Sequence, residues 1–169
     1  MGATSRVAGS AATLGAATAL FFPAFALHEA LHAAVVRALG HQAAVVIRPW
    51  RFALFNLALP SVHVQPVPPL DDARQLLDNF AGPALAAAVL AALGLLARPR
   101  WLRLALAANV CALLFYAAVE PLDVLADTFG QDITPLVTPE LNYGVPLAMF
   151  LVAAAAWARR PTPGRRAPA

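Results

Sequence analysis

The chain has 169 residues, of which 60% are hydrophobic and only 12% are charged, and its mean hydropathy is +0.67. A soluble globular domain carries about 25% charged residues, so this composition excludes an ordinary water-soluble fold, and its apolar content excludes a disordered chain. The formal net charge of +3 includes twelve basic residues, all Arg and beside apolar runs. This placement favours anchoring at a membrane edge over binding to nucleic acid.

Four apolar windows are candidates for transmembrane helices, which need about 20 mostly apolar residues. They are 7–39, 80–97, 101–119 and 143–158. The first window is too long for one straight crossing, because a helix of that length reaches about 50 Å and the hydrocarbon core is about 30 Å thick. Pro23 is the expected kink. We therefore predict an all-α polytopic membrane protein whose single domain occupies residues 1–158.

The segment between the first two windows is rich in proline and arginine and is not expected to form another helix. Its β-branched runs, 45–47 and 61–64, are bounded by prolines. This pattern predicts a small β-hairpin lying against the helices. Residues 159–169 have the composition of a disordered basic tail.

The topology of the first window has two interpretations. Arg6, the apolar run and the small-residue pattern Ala24-Phe25-Ala26 resemble a cleavable signal peptide. Three later apolar windows favour an uncut helix and a multi-pass protein of the cell membrane. Eight of the twelve arginines fall on the side of the N-terminus, which favours both termini inside.

The sequence His28-Glu29-Ala30-Leu31-His32 lies inside the first apolar window. On a helix, residues four apart share a face, so both imidazoles can bind one ion, and Glu29 can reach a bound water as general base. Ionisable groups in an apolar span cost about 2 to 3 kcal/mol each and are functional as a rule. The motif therefore predicts a Zn²⁺ site, with His41 and His63 as surface or hairpin residues outside it.

A zinc site of this kind needs a third protein ligand. The acidic candidates lie at and after the end of the third window: Glu120, Asp123, Asp127 and Asp132. Pro121 is expected to break the helix and to present Asp123 from an unwound or restarted helix at membrane depth, so Asp123 is preferred. The alternative is that these acids form an exposed loop.

The second window opens with Asp78-Asn79-Phe80-Ala81-Gly82-Pro83. Asp78 or Asn79 is expected to cap the helix, with Pro83 in its first turn. Gly82 allows the close approach of a neighbouring helix or of an extended peptide. Asn79, Gly82 and Pro83 are therefore the candidate substrate-binding residues.

Together these segments resemble the site-2 protease family of intramembrane zinc metallopeptidases. The matching features are the histidine-glutamate-x-x-histidine helix, the alanine-glycine-proline helix start and a proline-leucine-aspartate stretch, and from His28 to Asp123 they cover more than half of the chain. The resemblance implies His28, His32 and Asp123 as zinc ligands and Glu29 as the catalytic base. It also implies a hairpin between the first two core helices.

The chain departs from the family pattern at two positions. Ala86 stands where the family commonly has asparagine, and Val124 stands where it commonly has glycine. Asp127 or Asp132 could then supply the third ligand, and Asn79 or Asn109 the missing amide. The family usually places the loop after its zinc helix toward the cytoplasm, contrary to the arginine count, so the two criteria disagree on orientation.

The predicted activity is hydrolysis of a peptide bond in or near a transmembrane segment of a membrane protein substrate. An edge strand in the 43–65 segment could hold the unwound substrate extended. The expected partners are that substrate and the lipid bilayer, without nucleic acid. The alternatives are a catalytically inactive membrane scaffold, or a small metal or proton transporter that uses His28, Glu29 and His32 as a relay.

Overall fold

A computed structural model describes residues 3–52, 56–131 and 139–158, and every structural statement below refers to these ranges. Asp132 and the predicted tail at 159–169 lie outside them. The elements follow in the order α1 (Ala3–Ala38), β1 (Gln42–Phe52), β2 (Leu57–Val67), α2 (Asp72–Leu96), α3 (Arg100–Thr128) and α4 (Pro139–Ala158). The prediction of a mostly helical chain with a hairpin between its first two helices is confirmed.

Three helical stretches have the length and the apolar character needed to cross a membrane: Val7–Ala38, Asp72–Leu96 and Arg100–Thr128. The apolar part of α4, Gly144–Ala156, is shorter. Large apolar side chains also cover much of the outer surface, for example Leu95 at 89% and Leu96 at 79% exposure. Helices that present leucine outward fit a surface solvated by lipid.

The interior is built largely from small residues. Helix α1 contacts the other three helices and both strands. One core cluster joins α1, α2 and α3 and contains Ala24, Ala86, Ala87, Leu90, Leu106, Leu113 and Tyr116. Alanine at these contacts lets helix backbones approach closely, which is how helices associate where apolar burial gives little advantage over lipid. The same close packing brings polar side chains of three helices together.

The hairpin is longer than predicted, with 11 residues in each strand. Its strands pair antiparallel, with Val45 opposite Val64. The backbone N–H of Val64 donates to Glu29 of α1, so this N–H points away from β1. In an antiparallel pair every second residue shares that direction, and Pro60 and Pro66 stand at such positions on β2. These prolines therefore remove no hydrogen bond from the ladder.

Helix α2 begins earlier than the sequence predicted. Its N-cap is Asp71, whose carboxylate accepts the backbone N–H of Arg74 at 2.9 Å. A capping carboxylate followed by Asp72 in the first turn stabilises a helix start here, shortly after the prolines at 68 and 69. The expectation that Asp78 or Asn79 caps this helix is thus wrong, and both residues lie inside it.

Helix α3 continues through Pro121 to Thr128, so the predicted break at this proline is wrong. A proline inside a helix removes one hydrogen bond and costs about 3 kcal/mol. Buried residues lie on both sides of it, Tyr116 and Ala117 before and Ala126 after, and this packing offsets the cost. Helix α1 includes Pro23, and the kink expected there stays a prediction.

Candidate metal centre

Helix α1 brings the two histidines of the motif together, as the spacing requires. The Nε2 atoms of His28 and His32 lie 2.7 Å apart, and the ring centroids are 4.6 Å apart. His28 is 1% exposed and His32 is 8% exposed, so bulk water does not satisfy these nitrogens. Each must find its partners within the protein or in a bound ion.

The third ligand-type side chain comes from α3. One carboxylate oxygen of Glu120 lies 3.4 Å from His28 Nε2, and the other lies 3.2 Å from His32 Nε2. One ligand atom from each of the three residues lies within 4.8 Å of the other two. Among the described residues, Glu120 is thus the acid that completes the triad, although the sequence favoured Asp123.

Asp123 lies elsewhere on α3. Within the described ranges, the group of converging ligand atoms includes neither Asp123 nor Asp127. Both line a cleft of about 460 Å³ between the beginning of α2 and the end of α3. Because α3 stays helical through Pro121, Asp123 lies three residues and about 4.5 Å further along the helix axis than Glu120, beside the cleft that it lines.

The hydrogen bonds of His32 indicate that the cluster needs a cation. Its Nδ1 lies 3.1 Å from a carboxylate oxygen of Asp78, which is 2% exposed. A carboxylate accepts, so Nδ1–H is the donor and Nε2 of the neutral ring carries a lone pair. This lone pair faces the Glu120 oxygen at 3.2 Å. Two facing acceptors repel unless a cation, either a proton or a metal ion, lies between them.

The donor set fits zinc. Two imidazoles and one carboxylate are a known ligand set of catalytic zinc sites, which keep a fourth position open for water or substrate. With Zn–N bonds of about 2.0 to 2.1 Å and tetrahedral angles, the two nitrogens would lie about 3.3 Å apart. The Nε2 atoms of His28 and His32, now 2.7 Å apart, would then separate by about 0.6 Å.

The two imidazoles are held in different ways. His28 packs edge-to-face on Phe25, with centroids 5.5 Å apart, and stacks on Tyr116 at 6.0 Å. Its Nδ1 is buried without a hydrogen-bond partner among the described residues. His32 instead bonds to Asp78 and lies against Gly82. The close approach expected at this glycine is made by an imidazole.

Glu29 occupies the side of α1 next to the hairpin. The residue is 9% exposed, and its Oε2 accepts the backbone N–H of Val64 at 3.1 Å. Glu29 follows His28 directly in the chain, so the predicted base adjoins the triad. The hydrogen bond also places the outer edge of β2 beside this carboxylate.

Two asparagines are candidates for the amide that the family pattern has near its site. Asn79 Nδ2 donates to the backbone carbonyl of Glu120 at 3.0 Å, and Asn79 Oδ1 accepts from Gln75 at 2.6 Å. Asn79 also lines the cleft beside Asp123. Asn109 donates to two backbone carbonyls, one in α1 and one in its own helix. Asn79 therefore adjoins the triad, whereas Asn109 supports the packing of α3 on α1.

The remaining histidines belong to the hairpin region. His41 Nδ1 donates to the carbonyl of Pro68 at 3.0 Å, and His63 lies in β2. Within the described ranges, neither is in the cluster of converging ligand atoms. Pro83 is buried inside α2, one residue after Gly82. Its role in substrate binding stays a prediction.

No protein-family model, curated protein or solved structure matches this chain. Its function is therefore inferred from the chemistry of the site and from the motifs in its sequence.

Proposed function

We propose that this protein is a zinc-dependent endopeptidase that cleaves a peptide bond in or near a membrane-spanning segment of another protein. The observation that carries the proposal is the convergence of His28 Nε2, His32 Nε2 and the Glu120 carboxylate within 4.8 Å. Three apolar helices that are long enough to span a membrane support a membrane location. The resemblance of the motifs to the site-2 protease family supports the class of reaction.

In this proposal His28, His32 and Glu120 hold the ion. Bound Zn²⁺ supplies a Lewis acid that polarises the scissile carbonyl and lowers the pKa of water. Glu29 accepts a proton from the attacking water, whose oxygen bonds to the carbonyl carbon. As the carbon–nitrogen bond breaks, Glu29 returns that proton to the leaving amine. The products are a carboxylic acid and an amine.

Water must reach a buried site for this reaction to occur. The cleft between α2 and α3 is lined by Asp72, Asp123, Asp127, Gln75 and Asn79, among others. Asn79 bonds to the Glu120 carbonyl, so this polar cleft adjoins the element that carries the third ligand. We assign the cleft as the entry route for water and for the cation.

The substrate backbone needs an extended conformation, because a helix satisfies its own hydrogen bonds and shields its carbonyls. The outer edge of β2 lies next to Glu29 and offers strand-type hydrogen bonds to an added strand. Pro60 and Pro66 lack N–H groups at this edge, and the N–H of Val64 already donates to Glu29, so the remaining donor between the prolines is that of Val62. The proposed docking edge is thus short and lies beside the catalytic base.

The test is cleavage in reconstituted membranes. Purified protein is loaded with Zn²⁺ and incorporated into liposomes together with membrane proteins of the expression host, and new peptide termini are identified by mass spectrometry. We expect new termini inside or next to apolar spans with the wild type and none with Glu29→Gln, which retains zinc. Identical termini in the two samples would contradict the protease and favour the inactive scaffold.

A transporter receives less support from the structure. Outside the cluster and its neighbours Glu29 and Asp78, the buried polar side chains in the described ranges are Thr13 and Asn109. Both donate to backbone carbonyls of the helices. A conduction path needs polar groups at successive depths. Zinc flux into vesicles without cleavage products would nevertheless favour this alternative.

A further inference from the structure

We propose that Asp78 is the positioning residue of the metal centre: its carboxylate holds the Nδ1–H of His32 so that this ring presents Nε2 to the ion. The inference rests on the zinc site of the proposed function. It adds a residue that the sequence indicates only as a candidate helix cap and that makes no bond to the ion or to substrate.

The first argument is the burial of a carboxylate in an apolar helix. Asp78 is 2% exposed and lies in α2, one of the three stretches apolar enough to span a membrane. A buried carboxylate is strongly unfavourable unless it is hydrogen-bonded. Its oxygen lies 3.1 Å from His32 Nδ1, which supplies such a bond. The contact with His32 therefore explains why a carboxylate is tolerated at this buried position.

The second argument is the shape of α2 around the ring. Asp78 and Gly82 are four residues apart and so lie on one face of α2. The carboxylate bonds one nitrogen of the His32 imidazole, and the glycine leaves the space for the ring. This face of α2 thus receives the imidazole in one orientation.

The third argument is the chemistry of a neutral imidazole, which carries one proton on either of two nitrogens. Asp78 favours the proton on Nδ1, which leaves the lone pair of Nε2 directed at His28 and Glu120. Without this partner the proton can reside on Nε2, where it blocks coordination, and the ring can rotate. Second-shell carboxylates of this kind fix the tautomer and orientation of histidine ligands.

Asn79, the residue after Asp78, also contacts a residue that carries a proposed ligand. Asn79 donates to the backbone carbonyl of Glu120, so consecutive residues of α2 contact ligand-bearing residues of α1 and of α3. His28 has no comparable support, because its Nδ1 lacks a partner in the described part of the chain. Asp78 therefore acts on one ligand only, and its removal should weaken the site without abolishing it.

The experiment measures metal affinity of the full chain in detergent. Zn²⁺ affinity is determined by competition with a chromophoric chelator, and the absorption spectrum of bound Co²⁺ reports the coordination geometry. We expect Asp78→Ala to weaken zinc binding about 10- to 100-fold and to change the Co²⁺ spectrum. Asp78→Asn should lose less, about three- to tenfold, because its amide oxygen still accepts from Nδ1–H. Leu77→Ala, an exposed position next to Asp78 in the same helix, is the matched control and should bind as the wild type does.

The outcomes separate this inference from the proposed function. Unchanged affinity and Co²⁺ spectrum in a folded Asp78→Ala protein would overturn the role of Asp78 and leave the zinc centre standing. A wild type that binds no metal would overturn the zinc centre, and the role of Asp78 with it. If Asp78→Ala does not fold, Asp78→Asn decides, and wild-type affinity in that variant would overturn the proposal.

Discussion

Gly82 of α2 leaves the space in which the His32 imidazole lies. A Cβ built at position 82 would be 2.6 Å from Cε1, Nδ1 and Nε2 of that ring. Such separations are far inside van der Waals contact, so any side chain at this position displaces the ring or separates the two helices. The glycine is thus what allows the His32 ring its observed position.

The first prediction concerns Gly82→Ala. We expect at least a tenfold loss of zinc affinity, because overpacking costs about 1 to 3 kcal/mol and the displaced ring no longer aligns Nε2 with the other ligands. Chelator competition on the purified protein measures the loss.

Gly94→Ala is the matched control, since a Cβ there meets only Leu106 Cβ, at an ordinary 3.8 Å. It lies in the same helix and should bind zinc normally, with equal or slightly higher stability because alanine favours helix. Equal zinc affinity in the two variants would show that the ring does not depend on the space at Gly82.

The second prediction distinguishes two acids of α3. Glu120→Gln should reduce bound zinc from about one ion per chain to near zero, because it removes the carboxylate charge shared by His28 and His32. Asp123→Asn should retain zinc, because Asp123 lines the cleft beside the site. Elemental analysis of both purified variants gives the stoichiometry.

The opposite pattern, with zinc lost in Asp123→Asn and kept in Glu120→Gln, would restore the ligand set implied by the family resemblance. In that case α3 would have to unwind at Pro121 on metal binding. Loss of zinc in both variants would contradict the prediction that Asp123 lies outside the metal site.

The local parts of this structure were predictable from the sequence. Two histidines four apart share a face on any helix, so their convergence needed no knowledge of the fold. The hairpin followed from β-branched runs bounded by proline. Its length was underestimated, because Pro60 and Pro66 occupy outward positions where they disturb no pairing.

The parts that depend on tertiary packing were missed. Glu120 reaches the histidines because α3 packs against α1, and Asp78 reaches His32 because α2 starts at Asp72 and packs against α1 as well. The local sequence predicts a helix break at Pro121 and a helix cap at Asp78 or Asn79, and the structure has neither. The sequence does contain one signal for Asp78. This acid stands four residues before Gly82, and on a helix such a pair places a carboxylate beside an open space for a polar partner.

The third prediction is that zinc stabilises the fold. A ligand that binds only the folded state at a concentration of 100 times its Kd adds about 2.7 kcal/mol to the free energy of unfolding. We expect a higher apparent Tm with Zn²⁺ and reversal by a chelator, followed by circular dichroism in detergent. His32→Ala should abolish the increase, whereas His41→Ala, at the edge of the hairpin, should preserve it. A Tm that does not respond to zinc in the wild type would contradict a structural contribution of the ion.

The fourth prediction concerns the contact between the hairpin and the catalytic base. Val64→Pro removes the N–H that donates to Glu29, yet it removes no ladder bond because this N–H points away from β1. A hydrogen bond to a charged acceptor contributes about 1.5 to 3 kcal/mol, so the hairpin amides should exchange about ten- to a hundredfold faster. Hydrogen exchange followed by mass spectrometry measures this change.

Val62→Pro provides the matched control, since Val62 shares the outer edge of β2 two residues earlier and the same change in backbone freedom is made there. In the Val62→Pro variant the hairpin amides should exchange hydrogen at nearly the wild-type rate. Glu29→Ala should reproduce the acceleration, and combining it with Val64→Pro should add little, because both remove the same hydrogen bond. Fully additive effects, or equal acceleration by the two prolines, would mean that the hairpin is held to α1 by other contacts and that β2 does not depend on the base for its position.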